Sequence, residues 1–344
     1  MGQDAAKKDI KDLTLDELTK EIVGIGQRPY RGRQIFSRIY KDGITDIGEL
    51  SNISKALRDR LKESYYISAI TLSEHLKSRD GTEKFLFMLR DSNFIETVLI
   101  PSKERKTLCL STQAGCKFAC SFCASGRKGF VRDLTPSEIL NQILFLSRRF
   151  EHNITNYVFM GMGEPLDNYE NVAKAVMIMN DPEGMNIGAR RITISTCGII
   201  PGIDKLKELG LQVNLSVSLH AANDRLRDEL MPVNKRYPLK ELINACEKYL
   251  DKTGRLITLE YILIEHKNDS LKDADALAEI AGRLKAKVNL IAASPVSHAG
   301  LGPPSQKTVD IFMKRLTGKR ITATLRESKG KDIHAACGQL AGER

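Results

Sequence analysis

The chain has 344 residues, 42% of them apolar and 28% charged, which is enough to bury a large core and excludes a globally disordered polypeptide. Lys and Arg outnumber Asp and Glu by 53 to 43, and the resulting formal charge of +10 favours a polyanionic partner such as nucleic acid. The sequence shows no apolar signal core and no run long enough to span a membrane. Its seven unevenly spaced cysteines point to a cytoplasmic setting, with thiols used for metal ligation or catalysis rather than for disulfides.

Residues 12–65 read as a small helical unit. Leu13, Leu15, Leu18 and Ile22 mark a first helix, Ile35, Phe36, Ile39 and Tyr40 a second, and Ile53, Leu57 and Leu61 a third. Three runs of β-formers follow, Ile67–Leu76, Lys84–Leu89 and Phe94–Ile100, separated by polar turns that predict an antiparallel meander. From residue 106 strand and helix alternate. The expected strands are Thr107–Ser111, Tyr157–Met160, Arg191–Ser195, Val213–Leu219, Ile257–Ile264, Val288–Ala292 and Arg320–Leu325. Thr135, Pro136 and Glu138 form a capping box for the helix that carries Ile139, Ile143 and Leu146. The predicted domains are therefore a helical accessory unit over 1–65, a β extension over 66–101 and an α/β domain over 102–344.

Strand phase separates the candidate sheet architectures. In Asn214-Leu215-Ser216-Val217-Ser218-Leu219-His220, a period of two sends Leu215, Val217 and Leu219 to one face and the polar residues to the other. Ile192 and Ile194 oppose Thr193 and Ser195 in the same way. A doubly wound sheet needs apolar residues on both faces. One polar face predicts instead a partial, open parallel β/α barrel whose lumen holds a ligand.

Just after the first parallel strand stand Cys116, Cys120 and Cys123, at C-x3-C-x2-C spacing. Zinc would need a fourth ligand nearby and none is present; three thiolates suit three corners of an iron-sulfur cube with one iron left open. Gly161-Met162-Gly163-Glu164-Pro165 also follows a strand, with glycines that permit close approach and a carboxylate to meet a cationic group.

With its aromatic Phe122, the cysteine motif resembles the signature of the radical S-adenosylmethionine superfamily. Further blocks narrow the resemblance to the dual-specificity RNA methyltransferases that methylate C2 of adenosine in large-subunit ribosomal RNA and, in some members, tRNA. They include Tyr30–Ile35, Ile95–Val98, Phe159–Pro165, Ile194–Thr196, Ser218–His220, Leu230–Asn234, Asn289–Ile291 and Asp332–Leu340. The resemblance implies a radical SAM partial barrel holding one 4Fe-4S cluster on Cys116, Cys120 and Cys123. It implies S-adenosylmethionine bound by Gly163, Glu164, Ser195, Ser218, Leu219, His220 and Asn289, with two molecules consumed per methylation. It further implies Cys337 as the methyl carrier, Glu96 as the base at C2 and Cys109 as the resolving thiol. The implied partners are 23S rRNA, tRNA at adenosine 37 and an electron donor such as flavodoxin or ferredoxin, with the protein a monomer.

Basic groups expected at the RNA are Arg31, Arg33, Arg127, Lys128, Arg132, Arg320, Arg326, Lys329 and Lys331. Cys197 and Cys246 read as buried core thiols and His334 as a solvated loop residue, while His152 and His298 carry no role. The chain departs from the family pattern at Ala292-Ala293-Ser294 and at Glu265-His266-Lys267, where a glycine-containing turn is usual. Methylation at C8 of the same adenosine, and a non-catalytic iron-sulfur RNA-binding protein, stand as the alternative readings.

Overall fold

Ten strands make one continuous sheet in the computed structural model, which describes residues 7–149, 154–293 and 301–342. They are β1 (Thr71–Lys77), β2 (Glu83–Met88), β3 (Phe94–Pro101), β4 (Lys106–Cys109), β5 (Asn156–Phe159), β6 (Ile192–Thr196), β7 (Asn214–Ser218), β8 (Ile257–Leu263), β9 (Lys287–Ala292) and β10 (Ala323–Arg326). His152, Ser294 and His298 lie outside the described residues.

The spatial order of the strands is their chain order. From β4 to β10 every neighbour pair is parallel. No reversal of order occurs, so right-handed crossovers place successive helices on one face and leave the other free. That topology is the open barrel that the polar strand faces predicted. Leu215 and Val217 are buried in the core, while Ser218, on the alternate face, opens onto a lumen.

The meander forms where expected, but it is no separate appendage. β3 pairs antiparallel with β4, Val98 opposite Cys109, so β1 to β3 extend the barrel sheet at its leading edge. This join places Glu96 on the strand next to Cys109.

The three helices of the N-terminal unit are Leu15–Gly24, Tyr30–Ser37 and Lys55–Ser64. Their apolar stripes converge in a core of Leu18, Ile22, Ile35, Phe36, Leu57 and Leu61. Lys11 fastens the unit to the barrel: its buried ammonium donates to the Ser68 carbonyl at 2.5 Å and to Asn141 Oδ1, and burial lowers its pKa to about 8. Among the described residues, no helix is long and apolar enough to cross a membrane.

The helix Pro136–Arg149 starts as its sequence prescribes. Thr135 Oγ1 accepts from the Glu138 amide at 3.4 Å, and Glu138 Oε2 accepts from the Thr135 amide at 3.0 Å. Glu138 also takes a two-pronged contact from Arg132 at 2.7 and 2.8 Å. The Thr135→Ala variant is expected to lose ~1 kcal/mol of stability, read as a lower urea midpoint with an unchanged slope.

Candidate active site

The C-terminal ends of β5 to β10 surround one mouth of the lumen, and the loop after β4 closes over it. Cys116, Cys120 and Cys123 line this pocket together with Gly163, Glu164, Ser195, Ser218 and His220. Cys337 enters it from the C-terminal segment. Residues widely separated in sequence are thus brought to one cavity.

Glu164 is buried, and its carboxylate is fixed by backbone amides. Oε1 accepts from Leu166 at 3.0 Å and Oε2 from Cys197 at 2.7 Å. Burial raises its pKa, a cost that a cationic ligand group would offset. Gly163 beside it has φ +97, and a Cβ there would lie 2.5 Å from Gln113 Cβ, so no side chain fits.

His220 Nδ1 accepts from the Ile262 amide at 3.0 Å, which leaves Nε2 as the N–H donor of a neutral ring. Desolvation, with Arg227 nearby, lowers its pKa to about 3. Its ring meets Phe122 edge-on, centroids 4.8 Å apart. Asn268 holds the His220 carbonyl at 2.7 Å and the Ile262 carbonyl at 2.6 Å. The divergent turn before it works because His266 itself adopts φ +59, the conformation that a glycine would otherwise supply.

Arg227, fully buried, explains the Leu230–Asn234 block. Its guanidinium donates to the carbonyls of Cys197 at 2.7 Å and Leu219 at 3.1 Å and to Asn234 Oδ1 at 2.8 Å. One cation thereby ties the loops after β6 and β7 together.

Leu219 and Asn289 do not line this mouth. Leu219 is buried in the core, and its carbonyl braces Arg227. Asn289 lies deeper, its amide donating to Glu260 Oε1 at 3.0 Å. Glu260 and Arg326 were not foreseen as lumen residues, yet both face the pocket. Inward strand phase from Thr258 and Asn289 would have found Glu260.

Cys337 lines a second cavity of about 300 Å³, which also contains Cys109 and Arg326. The resolving-thiol candidate and the carrier candidate therefore share a space. Burial pushes Cys109 up to about 12, with Arg326 acting in the opposite direction. The C-terminal segment is held at several points. Ala124 donates to the Gly338 carbonyl at 2.7 Å and Ser125 to the Leu340 carbonyl at 2.5 Å. Gly338, at φ +82, packs against the Phe122 carbonyl where a Cβ would come to 2.7 Å.

Glu96 takes part in the same fastening. Oε1 pairs with Lys84 at 2.8 Å, and Oε2 accepts from the Ala341 and Gly342 amides at 2.7 and 2.9 Å. It is 2% exposed, with Lys84 against one oxygen and the 341–342 amides against the other.

Several basic residues expected on the RNA surface have internal partners. Arg326 lies in the lumen, where its charge faces Cys337 and Glu260. Arg132 pairs with Asp91 and Glu138, Lys128 donates to the Gly342 carbonyl and Lys329 to the Pro101 carbonyl. Arg33, Arg320 and Lys331 are exposed.

Cys116, Cys120 and Cys123 are the residues that would hold a cluster, and all three line the same pocket. Among the described residues, no group of three or more His, Cys, Asp or Glu side chains is already drawn together around a metal position. Burial pushes Cys116 up to about 12 and Cys120 well above its ordinary value. Iron, which binds the thiolate form, would supply the positive charge that three such buried thiolates require.

Comparisons with known proteins agree with this geometry. Residues 110–278 match the radical SAM superfamily, and residues 8–67 match the ribosomal RNA large subunit methyltransferase N-terminal domain. A probable dual-specificity RNA methyltransferase RlmN of Thermoanaerobacter sp. is 46% identical over 332 residues, 96% of this chain and 97% of that protein. The dual-specificity RNA methyltransferase RlmN of Geotalea uraniireducens is 43% identical over 338 residues, 98% of this chain and 97% of that protein. The chain belongs to the RlmN family.

A solved radical SAM methyltransferase from Sphaerobacter thermophilus superposes with a TM-score of 0.91 at 44% identity, covering 98% of this chain and all of that one. Membership of the RlmN family makes the protein an S-adenosylmethionine-dependent RNA methyltransferase, and the radical SAM superfamily implies a 4Fe-4S cluster as its cofactor.

The depressed His220 pKa has a signed consequence. Below pH ~6.5 the unfolded chain binds a proton that the folded one refuses, so this stability is full above that value and lost toward pH 3. His220→Gln is expected to flatten the decline in urea midpoint between pH 7 and pH 4 relative to the parent.

Proposed function

We propose that the protein methylates C2 of an adenosine in 23S rRNA, and adenosine 37 of tRNAs, through an S-methylcysteine on Cys337. The observation that carries this reading is that Cys337 lines two cavities at once, one with the cysteine triad and Glu164, the other with Cys109. A residue that only completed a metal site would have no need of the second.

Cys116, Cys120 and Cys123 would hold the cluster, while Gly163, Glu164, Ser195, Ser218 and His220 would hold S-adenosylmethionine, two molecules being used per turnover. When bound, these groups supply a transferable methyl and a hydrogen-abstracting radical, with flavodoxin or ferredoxin as the electron source. C2 of adenine lies between two ring nitrogens and is too electron-poor to attack a sulfonium methyl, so the carbon has to be delivered as a radical.

Cys337 carries that carbon to C2, giving a covalent protein–RNA adduct. Glu96 removes the C2 proton once the 341–342 amides release Oε2, and the unpaired electron left on the adduct would be taken up by the redox chemistry that a cluster on Cys116, Cys120 and Cys123 supplies. Cys109 then attacks the Cys337 sulfur, forming a disulfide and breaking the bond from that sulfur to the RNA-bound methylene, which takes up a proton to become the methyl group of the departing product. The enzyme acts as a cytoplasmic monomer. Reaching C2 also requires an adenine taken out of its stack, so the RNA is read as a folded object with one nucleotide displaced.

Anaerobically reconstituted enzyme, given rRNA fragments and tRNA, is expected to place the new methyl at C2 by mass spectrometry; methyl found only at C8 overturns the regiochemistry. Cys109→Ala is expected to retain the S-methyl mass shift on Cys337, to fall at least a hundredfold in released product and to accumulate RNA-linked protein. A Cys109→Ala enzyme that turned over normally would remove Cys109 from the reaction.

A further inference from the structure

The barrel has a second mouth, at the N-terminal ends of its strands, lined by none of the residues to which the proposed methylation assigns a role. A cavity of about 610 Å³ opens there, within the range of roughly 300–1,000 Å³ usual for small-molecule sites. Met160, Glu260 and Arg326 line both this cavity and the cysteine-bearing one, and so form the partition between them.

Its charge is one-sided. Arg105, Arg255, Lys287 and Arg326 line it against a single carboxylate, Glu260. Arg105, Arg255 and Lys287 form no ion pair among the described residues, whereas Arg132, Arg283 and Arg315 are each matched by an acidic side chain.

Two buried polar atoms in the lining also lack partners. Arg255 Nη2 donates to Asn214 Oδ1 at 2.6 Å, but its Nε has no acceptor. Glu260 Oε1 accepts from Ser216 and Asn289, but Oε2 accepts from nothing and Glu260 is only 4% exposed. A buried donor and a buried acceptor left unmade cost stability unless something binds them.

Register gives the spacing. Thr258 pairs with Lys287 and Glu260 with Asn289, so the Lys287 layer lies two residues, ~6.6 Å along the strand, below the Glu260 layer. That is about the length of a phosphorylated pentose.

We infer that this second mouth binds a ribose phosphate monoester, its phosphate on Arg105, Arg255 and Lys287 and a sugar hydroxyl donating to Glu260 Oε2. The cations line a concavity inside the strands rather than a ridge, which selects a small ligand over an RNA backbone. The ester can come from a free sugar phosphate or from a nucleoside monophosphate.

Calorimetric titration of the full-length, cluster-containing protein with ribose 5-phosphate and with AMP separates the two sources. At least one is expected to bind with a sub-millimolar Kd. Lys287→Ala and Arg105→Ala, both at exposed positions, are expected to weaken that binding at least tenfold, and Glu260→Gln is expected to weaken it while leaving displacement by inorganic phosphate intact. S-adenosylmethionine binding to the Lys287 and Arg105 variants, which lie outside the cysteine-bearing pocket, is measured in parallel and is expected to stay within twofold. Absence of binding by both probes overturns the inference, as does binding that the Lys287 and Arg105 variants leave unchanged, or a loss in these variants confined to RNA affinity.

Discussion

The fastening of the C-terminal segment across the barrel mouth is the constraint on which the arrangement of the site depends. Cys337 has no strand or helix of its own to fix it. Its place is set by the Gly338 and Leu340 carbonyls, which accept from the cysteine loop, and by the Ala341 and Gly342 amides, which donate to Glu96. Glu96 can do this only because the meander continues the barrel sheet through the β3–β4 pairing. The β extension therefore forms one wall of the site: without it Cys337 would lack its anchor, and Cys109 its neighbouring strand.

Electrostatics inside the lumen follow from burial more than from charge pairing. His220 is kept neutral and Glu164 and Glu260 are pushed up, all three chiefly by desolvation. Arg227 and Arg326 are the compensating cations, and they do different work. Arg227 spends its hydrogen bonds on backbone carbonyls and holds the loop walls in place. Arg326 has the Met160 sulfur as a neighbour at 3.6 Å and otherwise faces the cavities, where Cys109, Cys337 and Glu260 lie within its field. A buried carboxylate and a half-buried guanidinium facing open space constitute a surface prepared for polar ligands.

Much of this was legible in the sequence because the lumen is polar. Period-two alternation in 191–195 and 214–220 named the inward residues, and all seven expected parallel strands are present. The residues that went unread share a physical cause. Glu260 sits in the run Leu259–Leu263, where apolar neighbours mask its phase, and its partner Asn289 belongs to another strand. Arg326 looked like one member of a basic surface cluster, since charge in a sequence carries no information about which side of a strand it occupies. The meander was recognised, but its attachment to the barrel was not, because nothing local distinguishes an edge strand that pairs onward from one that ends a sheet.

The order of the strands accounts for why one chain can offer two mouths. A doubly wound sheet has one crevice, at its switch point, and its opposite edge is covered by helices. A small closed barrel fills its centre with branched side chains. Here the strands follow one another without reversal and the inward positions are mostly Thr, Ser, Asn, Glu and Arg, with Val158 and Met160 among them, too polar to pack into a dry core. The lumen stays open along its length, divided only by Met160, Glu260 and Arg326. Chemistry at the cysteine end requires the polar inner face for its ligand, and strand alternation carries the same polarity to the other end. An open second mouth follows from the first, and its unmatched cations give that mouth a preference for anions.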